Sequence, residues 1–390
     1  MVAAVVPAIA GADGEPRAAL VEVGRAIFFD PALSEPRGTS CASCHDPERA
    51  FWGDNGSRRG VPRGSRPGHF ARRNAPSLLY LRYVPAFQFA PADDDSPQPE
   101  PRGGLFWDGR ADSIAALVRQ PLLNPDEMNN RDARAIAAKV ARAPYAAALA
   151  RETGAALGDG EATLVAVGRA LEAFLTSKEM APFSSRFDAF VTGRGKLTPF
   201  EREGMLLFRN PGKGGCGGCH LFYDTGRDPA LSMFSNYGYD AVAAPRNPKL
   251  AGQRKPDLGL CERTDRTTPS TDGRFCASFR TPSLRNVAVR GAYMHNGVFT
   301  SLRDVVAFYA TRATDPMRWY KSGVKFDDVP AKFRGQVNVA SIPYNRREGD
   351  APALNDREID AIVAFLETLT DERYRRKASG SRIAPELGPQ

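Results

Sequence analysis

The sequence predicts an all-α protein of two domains with long irregular loops. Helical spacing and helix caps recur along the chain, and no alternating strand pattern of useful length is present. A segment near the start of the chain is also similar to one in its second half. Because 390 residues are too many for one simple core, we expect two domains.

The repeated unit is a short amphipathic segment that ends in Gly-x-x-x-Phe, followed by a polar loop and then C-x-x-C-H. The first copy begins "VEVGRAIFFDPALS" and reaches "CASCH" at His45. The second copy is "EREGMLLFRNPGKGGCGGCH", which ends at His220. A duplicated unit of this kind indicates one copy in each domain.

Several helices carry explicit start signals. Thr198 is a predicted N-cap, Pro199 suits the first helical position, and Glu201 completes a capping box. Asn355 and Glu358 form a similar pair before "IDAIVAFLETL". Residues 53–75, 87–105, 223–280 and 314–352 have no clear helical pattern. Irregular segments of this length suggest that a large buried apolar cofactor nucleates the core.

The C-x-x-C-H units predict covalent haem. Two thiols at this spacing add to the two vinyl groups of one haem, and the adjacent histidine binds its iron. The predicted attachment residues are Cys41, Cys44 and His45, and then Cys216, Cys219 and His220. The alternative is zinc, but zinc ribbons place two such units close together, whereas these lie in different halves of the chain.

The remaining composition limits location and partners. Cys261 and Cys276 would form a disulfide in an oxidising compartment, and two free thiols are the alternative. The opening "MVAAVVPAIAGADGEP" is similar to the end of a secretory signal, and no apolar run is long enough to span a membrane. The net charge of +8 comes mostly from scattered arginines in loops that carry no nucleic-acid-binding signature, and these are interpreted as solvated basic loops. An acidic protein partner is the alternative.

With these motifs the chain resembles the bacterial di-haem cytochrome c peroxidases and the related MauG-type enzymes. Further motifs that carry the resemblance are "RRNAPSLL", "FWDGRADS", "PLLNPDEM", "FRTPSLRNVA", "YMHNG" and "EIDAIVAFLETLT". The resemblance implies two cytochrome c-like haem domains, at residues 17–180 and 181–376. The first would hold the haem that reacts with peroxide, and the second the electron-transfer haem.

The resemblance also implies the catalytic residues. Glu127 would move a proton between the two peroxide oxygens, Trp107 would relay electrons between the haems, and Pro121 would shape the peroxide pocket. Two alternatives remain open from the residues alone. Glu127 and Asn124 also suit the start of a helix, and Trp107 also suits a buried structural role.

The sixth ligand of the second haem separates the subfamilies. In the MauG type it is a tyrosine, which matches Tyr309 here, and Leu302, Val305 and Val306 put Tyr309 on an apolar helix face. From the spacing alone, a core tyrosine that binds no iron is the alternative. Met294 is the rival ligand, and His295 is expected beside this haem. His69 is either a distal ligand of the first haem or a solvated loop residue.

A calcium ion between the haems is also implied by the resemblance. Its protein ligands would be Asn74 and the backbone carbonyls of Arg290 and Ala292, which differ from the threonine and proline usual at those two positions. Oxygen ligands are what calcium prefers.

The resemblance implies a periplasmic enzyme, as a monomer or homodimer, that reacts with hydrogen peroxide and stores or passes oxidising equivalents. Electrons would come from a small redox protein or a protein substrate. Gly214 stands where the MauG pattern has a surface tryptophan, which weakens the protein-modifying version. The alternatives are a peroxidase that only detoxifies hydrogen peroxide and a passive di-haem electron carrier.

Overall fold

Helices carry nearly all the regular structure of the protein. The computed structural model describes residues 16–91, 99–226, 228–250, 252, 255–263 and 273–375. The signal-like opening, except Pro16, lies outside these residues, as do residue 376 and parts of the loops predicted at 87–105 and 223–280. Within the described ranges, no helix is long and apolar enough to cross a bilayer.

The first half of the chain is organised around its longest helix. The helices of this half are α1 (Ala18–Phe28), α2 (Cys41–Cys44), α3 (Ile114–Leu123), α4 (Ala133–Val140), α5 (Ala146–Thr153) and α6 (Gly160–Leu175). Helices α1, α3, α4 and α5 all pack against α6. The amphipathic spacing in the sequence places the apolar face of α6 in this core.

The second half repeats the arrangement with fewer helices. They are α7 (Arg186–Val191), α8 (Pro199–Arg209), α9 (Leu302–Thr311) and α10 (Asp356–Glu367), and α10 packs against both α8 and α9. The two predicted capping boxes are confirmed, from Thr198 to Glu201 and from Asn355 to Glu358. The buried apolar residues of this half form a second core.

Two small antiparallel sheets lie between the helices and were not predicted. Strand β1 (Gln88–Ala90) pairs with β2 (Glu100–Arg102), and β3 (Tyr239–Asp240) pairs with β4 (Phe279–Arg280). The strands have only two or three residues, which is too short for alternation to be visible in the sequence. The all-α class is confirmed.

The glycine of each repeat marks a close helix crossing. A Cβ atom on Gly24 of α1 would collide with the carbonyl oxygen of Ala170 in α6, and one on Gly204 of α8 would collide with that of Ala361 in α10. The phenylalanine four residues later then packs on the same partner helix: Phe28 on Phe174 at 5.4 Å and Phe208 on Phe365 at 5.5 Å between ring centroids. The Gly-x-x-x-Phe repeat is therefore a helix-packing motif.

Buried polar contacts join the two halves. The Asp371 carboxylate, which is fully buried, accepts hydrogen bonds of 2.7 Å from Tyr80 of the first half and from Asn286 of the second. Arg73 pairs with Asp108 of its own half and, at 2.6 Å, with Asp257 of the other. The buried residues of the first core end at Met180, apart from Met233, Tyr237 and Tyr374, whereas the second core contains only later residues. The domain boundary at residue 180 remains a prediction.

We expect Gly204→Ala to lower the free energy of unfolding by about 1–3 kcal/mol, because the added methyl group pushes α8 away from α10. Gly158→Ala is the control, since its added Cβ meets no atom. Urea denaturation followed by circular dichroism measures both. Equal stability of the two variants would contradict the close crossing.

Candidate functional site

The first C-x-x-C-H unit lines a cavity of about 340 Å³ in the first half of the chain. Its two cysteines begin and end the one-turn helix α2, which Ser40 and Ser43 cap reciprocally. Cys41, Cys44 and His45 all contribute to the wall, and both cysteines are free thiols. The unit therefore presents two thiols and an imidazole to a single space.

The second unit lines a separate cavity of about 180 Å³ in the second half. Cys216 and Cys219 flank a 3-10 turn, and both are free thiols beside His220. Gly215 precedes this turn with φ +62°, and a Cβ there would meet Ile342 at 2.5 Å. Because the two units face different cavities, they do not form one zinc site.

Both histidines are prepared to bind a metal through Nε2. His45 Nδ1 lies 3.2 Å from the Phe51 carbonyl oxygen, and His220 Nδ1 lies 2.8 Å from that of Phe234. A carbonyl only accepts hydrogen bonds, so Nδ1 carries the proton and Nε2 keeps its lone pair. Burial lowers the pKa of both imidazoles to about 4, which keeps them neutral at physiological pH.

Glu127 lies in the wall of the first cavity. Its Oε1 accepts a 2.9 Å hydrogen bond from Asn124 Nδ2, and burial raises the pKa of its carboxyl group, although Arg110 acts in the opposite direction. The helix-start alternative is wrong here, because Asn124 caps the end of α3 and the next helix begins only at Ala133. Glu127 is therefore in a turn that faces the cavity.

Of Pro121 and His69, both considered for this pocket, only Pro121 lines it. Pro121 lies inside α3 and lines the cavity. His69 is not among the lining residues: its side chain is 37% exposed and its Nδ1 lies 2.8 Å from Asp126 Oδ1. In this conformation His69 is a surface residue rather than a distal ligand.

Tyr309 lines the second cavity from α9, together with Leu302, Val305 and Val306 of the predicted apolar face. Its ring stacks on that of Tyr344 with centroids 5.8 Å apart. Burial raises the pKa of Tyr309, and a hydrogen bond with Tyr344 acts in the opposite direction. Tyr344 was missed in the sequence because it lies in an irregular segment without periodicity.

Two neighbours of Tyr309 also reach this cavity. Met294, the rival ligand, contributes to its wall and has a left-handed backbone with φ +67°. His295 lines the cavity too, but its ring stacks on Phe279 at 3.7 Å between centroids, and its Nε2 lies 3.5 Å from Asp328. The imidazole of His295 thus has other partners and supports the wall.

Trp107 lines both cavities. Its indole Nε1 donates a 2.7 Å hydrogen bond to the Asn74 carbonyl oxygen, and its own carbonyl accepts one of 2.8 Å from the backbone N–H of Arg280. The ring is therefore held at the boundary between the two spaces, with a partner in each half of the chain.

The residues present fit two haem groups. Each cavity offers two thiols and one neutral imidazole, which is the attachment chemistry of haem c. In the second cavity Arg290 Nε is buried and has no hydrogen-bond partner among the described residues. A carboxylate of a bound haem would satisfy this cation. The sequence does not reveal this role, because burial of the Arg290 side chain depends on the folded chain.

Two of the three residues predicted to bind calcium, Asn74 and Ala292, are in direct contact. Asn74 Nδ2 donates hydrogen bonds of 3.0 and 3.1 Å to the carbonyl oxygens of Ala292 and Met294. The carbonyl of Arg290 accepts a hydrogen bond of 3.1 Å from Tyr293 Oη. The side-chain nitrogen of Asn74, rather than its oxygen, thus faces the carbonyls. This differs from the arrangement that calcium requires.

Cys261 and Cys276 form a disulfide. The bridge lies beside residues 264–272, which are outside the described part of the chain. Cys261 directly precedes Glu262, which pairs with Arg72 of the first half. The first cysteine of the disulfide is therefore next to an ion pair that joins the two halves.

Comparisons with known proteins give the family. The profile of the di-haem cytochrome c peroxidase family matches residues 18–196. The methylamine utilization protein MauG of Paracoccus denitrificans is 36% identical over 375 residues, which cover 94% of this chain and 92% of that protein. A cytochrome-c peroxidase of a Pseudomonas species is 30% identical over 307 residues, with coverage of 75% and 73%.

The crystal structure of the diheme peroxidase BthA from Burkholderia thailandensis superposes with a TM-score of 0.87 and is 53% identical. The match covers 92% of this chain and 88% of that one. The similarity thus spans both cavities and the segments that separate them. The chain belongs to the family of di-haem cytochrome c peroxidases and MauG proteins, and it is an oxidoreductase with two haem c groups.

Proposed function

We propose that hydrogen peroxide reacts in the first cavity and that the oxidising equivalents are shared with the second cavity, in the manner of MauG-type enzymes. One observation carries the proposal: Trp107 lines both cavities, whereas Glu127 lines the first cavity only. The first cavity then has an acid–base group and the second has an electron-transfer role. Haem, when bound at each C-x-x-C-H unit, supplies the change of oxidation state that peroxide reduction requires.

Glu127 moves the proton. Its carboxylate accepts the proton from one peroxide oxygen and returns it to the other, which leaves as water. The Asn124 side chain holds Oε1 at 2.9 Å, and burial raises the carboxyl pKa toward the pH at which transfer in both directions is efficient. Reduction of hydrogen peroxide to two water molecules consumes two electrons and two protons in total.

Trp107 carries electrons between the two cavities. Its indole is large and readily oxidised, and hydrogen bonds from both halves of the chain limit its movement. Tyr309 would hold the haem of the second cavity through its phenolic oxygen, which would supply charge to the iron and favour its higher oxidation states. His69 is bonded to Asp126 at the surface, which leaves the pocket around Glu127 open to peroxide.

The electron donor is a small acidic redox protein or a protein substrate, and the compartment is the periplasm. The net charge of +8 favours an acidic partner at the surface. The Cys261–Cys276 disulfide supports an oxidising compartment, since such bonds are rare in the cytosol.

The test of this function is one equivalent of hydrogen peroxide added to the ferric holoenzyme, followed by rapid-scan absorption and EPR. We expect both haem signals to change in the native protein. In Trp107→Phe, we expect the change at the Tyr309-side haem to slow markedly while the first haem still reacts. Trp319→Phe is the control, because Trp319 lines neither cavity.

The same experiment separates the alternatives. If neither haem reacts with peroxide, the protein is a passive electron carrier. Fast steady-state turnover with reduced cytochrome c favours a peroxidase that only detoxifies peroxide. Equal rates in Trp107→Phe and the native protein would remove Trp107 from the electron path.

We expect Glu127→Gln to lower the rate of the peroxide reaction by about 10²–10⁴-fold, because glutamine cannot accept the proton. The native rate should rise with pH as the carboxyl group, whose pKa burial raises, loses its proton. Stopped-flow rates from acidic to neutral pH should show this dependence, and it should be absent in Glu127→Gln. Glu161→Gln, at an exposed ion pair with Arg119, should match the native protein.

We expect Tyr309→Met to change the spectrum of the haem in the second cavity, because thioether sulfur would replace phenolic oxygen at the iron. A Met–iron charge-transfer band should appear in the ferric absorption spectrum, and the EPR g values should shift. Met294→Leu tests the rival ligand and should leave the signal in place. If only Met294→Leu alters the signal, Met294 is the ligand.

A further inference from the structure

Asn74 is the centre of a buried hydrogen-bond network between the two halves. Its backbone N–H donates to the His295 carbonyl at 2.7 Å, and its side-chain Nδ2 donates to the carbonyls of Ala292 and Met294. Its own carbonyl accepts the 2.7 Å hydrogen bond from Trp107 Nε1. Asn74 is 1% exposed, so each of these bonds is made in a dry environment.

A second tryptophan fixes the orientation of the Asn74 amide. Trp52 Nε1 lies 2.7 Å from Asn74 Oδ1 in a buried contact. An indole N–H is only a donor, so the amide oxygen must face Trp52 and the amide nitrogen must face the two carbonyls. Turning the amide over would place its NH₂ group against the indole N–H and its oxygen against two carbonyl oxygens.

Trp52 cannot move easily to release this amide. It is 2% exposed, and the guanidinium group of Arg49 lies 4.2 Å from its ring centroid. The ring also packs on Gly291, where an added Cβ would meet Trp52 Cη2 at 2.7 Å. Gly291 lies between Arg290 and Ala292, so the tryptophan is packed against the backbone that was expected to hold calcium.

These contacts differ from what a calcium ion needs. Calcium binds six to eight oxygen ligands at about 2.3–2.6 Å, and an amide NH₂ group is not one of its ligands. Here Asn74 Oδ1 accepts a hydrogen bond from the Trp52 N–H, and Asn74 Nδ2 donates one to the Ala292 carbonyl. The Arg290 carbonyl already accepts a hydrogen bond from the Tyr293 hydroxyl. No cluster of three or more acidic, His or Cys side chains within the described ranges offers an alternative metal site.

We propose that Asn74, held by Trp52, joins the two halves and positions Trp107 without a calcium ion. Asn74 and Trp52 are positioning residues: Asn74 accepts the hydrogen bond from Trp107, and Trp52 acts on Trp107 through Asn74. The amide hydrogens of Asn74 supply the positive partners that a cation would otherwise provide to the converging carbonyls. The role of Trp107 in this proposal rests on the proposed function. The contacts of Asn74 are the same whichever electron donor the enzyme uses.

Metal analysis of the native holoenzyme is the direct test. After purification without chelator and exhaustive desalting, we expect sub-stoichiometric calcium by inductively coupled plasma mass spectrometry. EGTA should leave the melting temperature and the EPR spectra of both haems unchanged. One calcium ion per chain, whose removal by EGTA alters those spectra, would overturn the proposal.

Asn74→Asp and Trp52→Phe test the cause with calcium chloride as the probe. Aspartate places a carboxylate oxygen against the two carbonyls, and phenylalanine removes the N–H that orients the amide. Each variant should bind calcium and show a higher melting temperature with calcium than with EGTA.

Asn130→Asp is the matched control. Asn130 is also buried and donates to two carbonyls, each at 2.8 Å, but Lys139 Nζ lies 2.7 Å from its Oδ1 and would balance the new charge. Its melting temperature should not respond to calcium. If the melting temperature of Trp52→Phe is as insensitive to calcium as that of the native protein, Trp52 does not keep the ion out. This outcome can be measured even if Asn74→Asp fails to fold.

Discussion

The wall shared by the two cavities at Trp107 is the constraint on which the rest of the structure depends. One indole can line two spaces only if the two halves of the chain are held together at that point. Asn74 anchors the indole ring, and the Arg280 N–H anchors the Trp107 backbone carbonyl. Further away, Arg73 with Asp257 and Tyr80 with Asp371 tie the halves together through buried charge and hydrogen bonds.

Burial acts in different ways on the residues of the site. It lowers the pKa of His45 and His220, which keeps Nε2 available as a ligand, and it raises the pKa of Glu127 so that the carboxyl can exchange a proton. In the proposed mechanism the same physical effect thus serves haem binding at His45 and proton transfer at Glu127. Each effect arises because the cavity walls are mostly apolar.

The duplicated architecture also explains why the two cavities, although lined by different residues, are built on the same pair of helix contacts. In each half a glycine lets the helix before the C-x-x-C-H unit approach a long helix, and a phenylalanine four residues later fills the contact. A further correspondence follows the haem units: the backbone of Pro76 interacts with His45, and that of Pro282 interacts with His220. Both prolines stand in Pro-Ser-Leu segments that the sequence repeats.

The sequence by itself determined the all-α class, the helix caps at Thr198 and Asn355, and the two C-x-x-C-H units, because each depends on residues close together in the chain. Only the tertiary structure decided that Trp107 lines both cavities, that Tyr344 stacks on Tyr309, and that Trp52 orients Asn74. These contacts join segments far apart in the sequence, through irregular loops with no periodicity. Hydrogen-bond direction in particular depends on which donor meets which acceptor, and that is known only once the chain is folded.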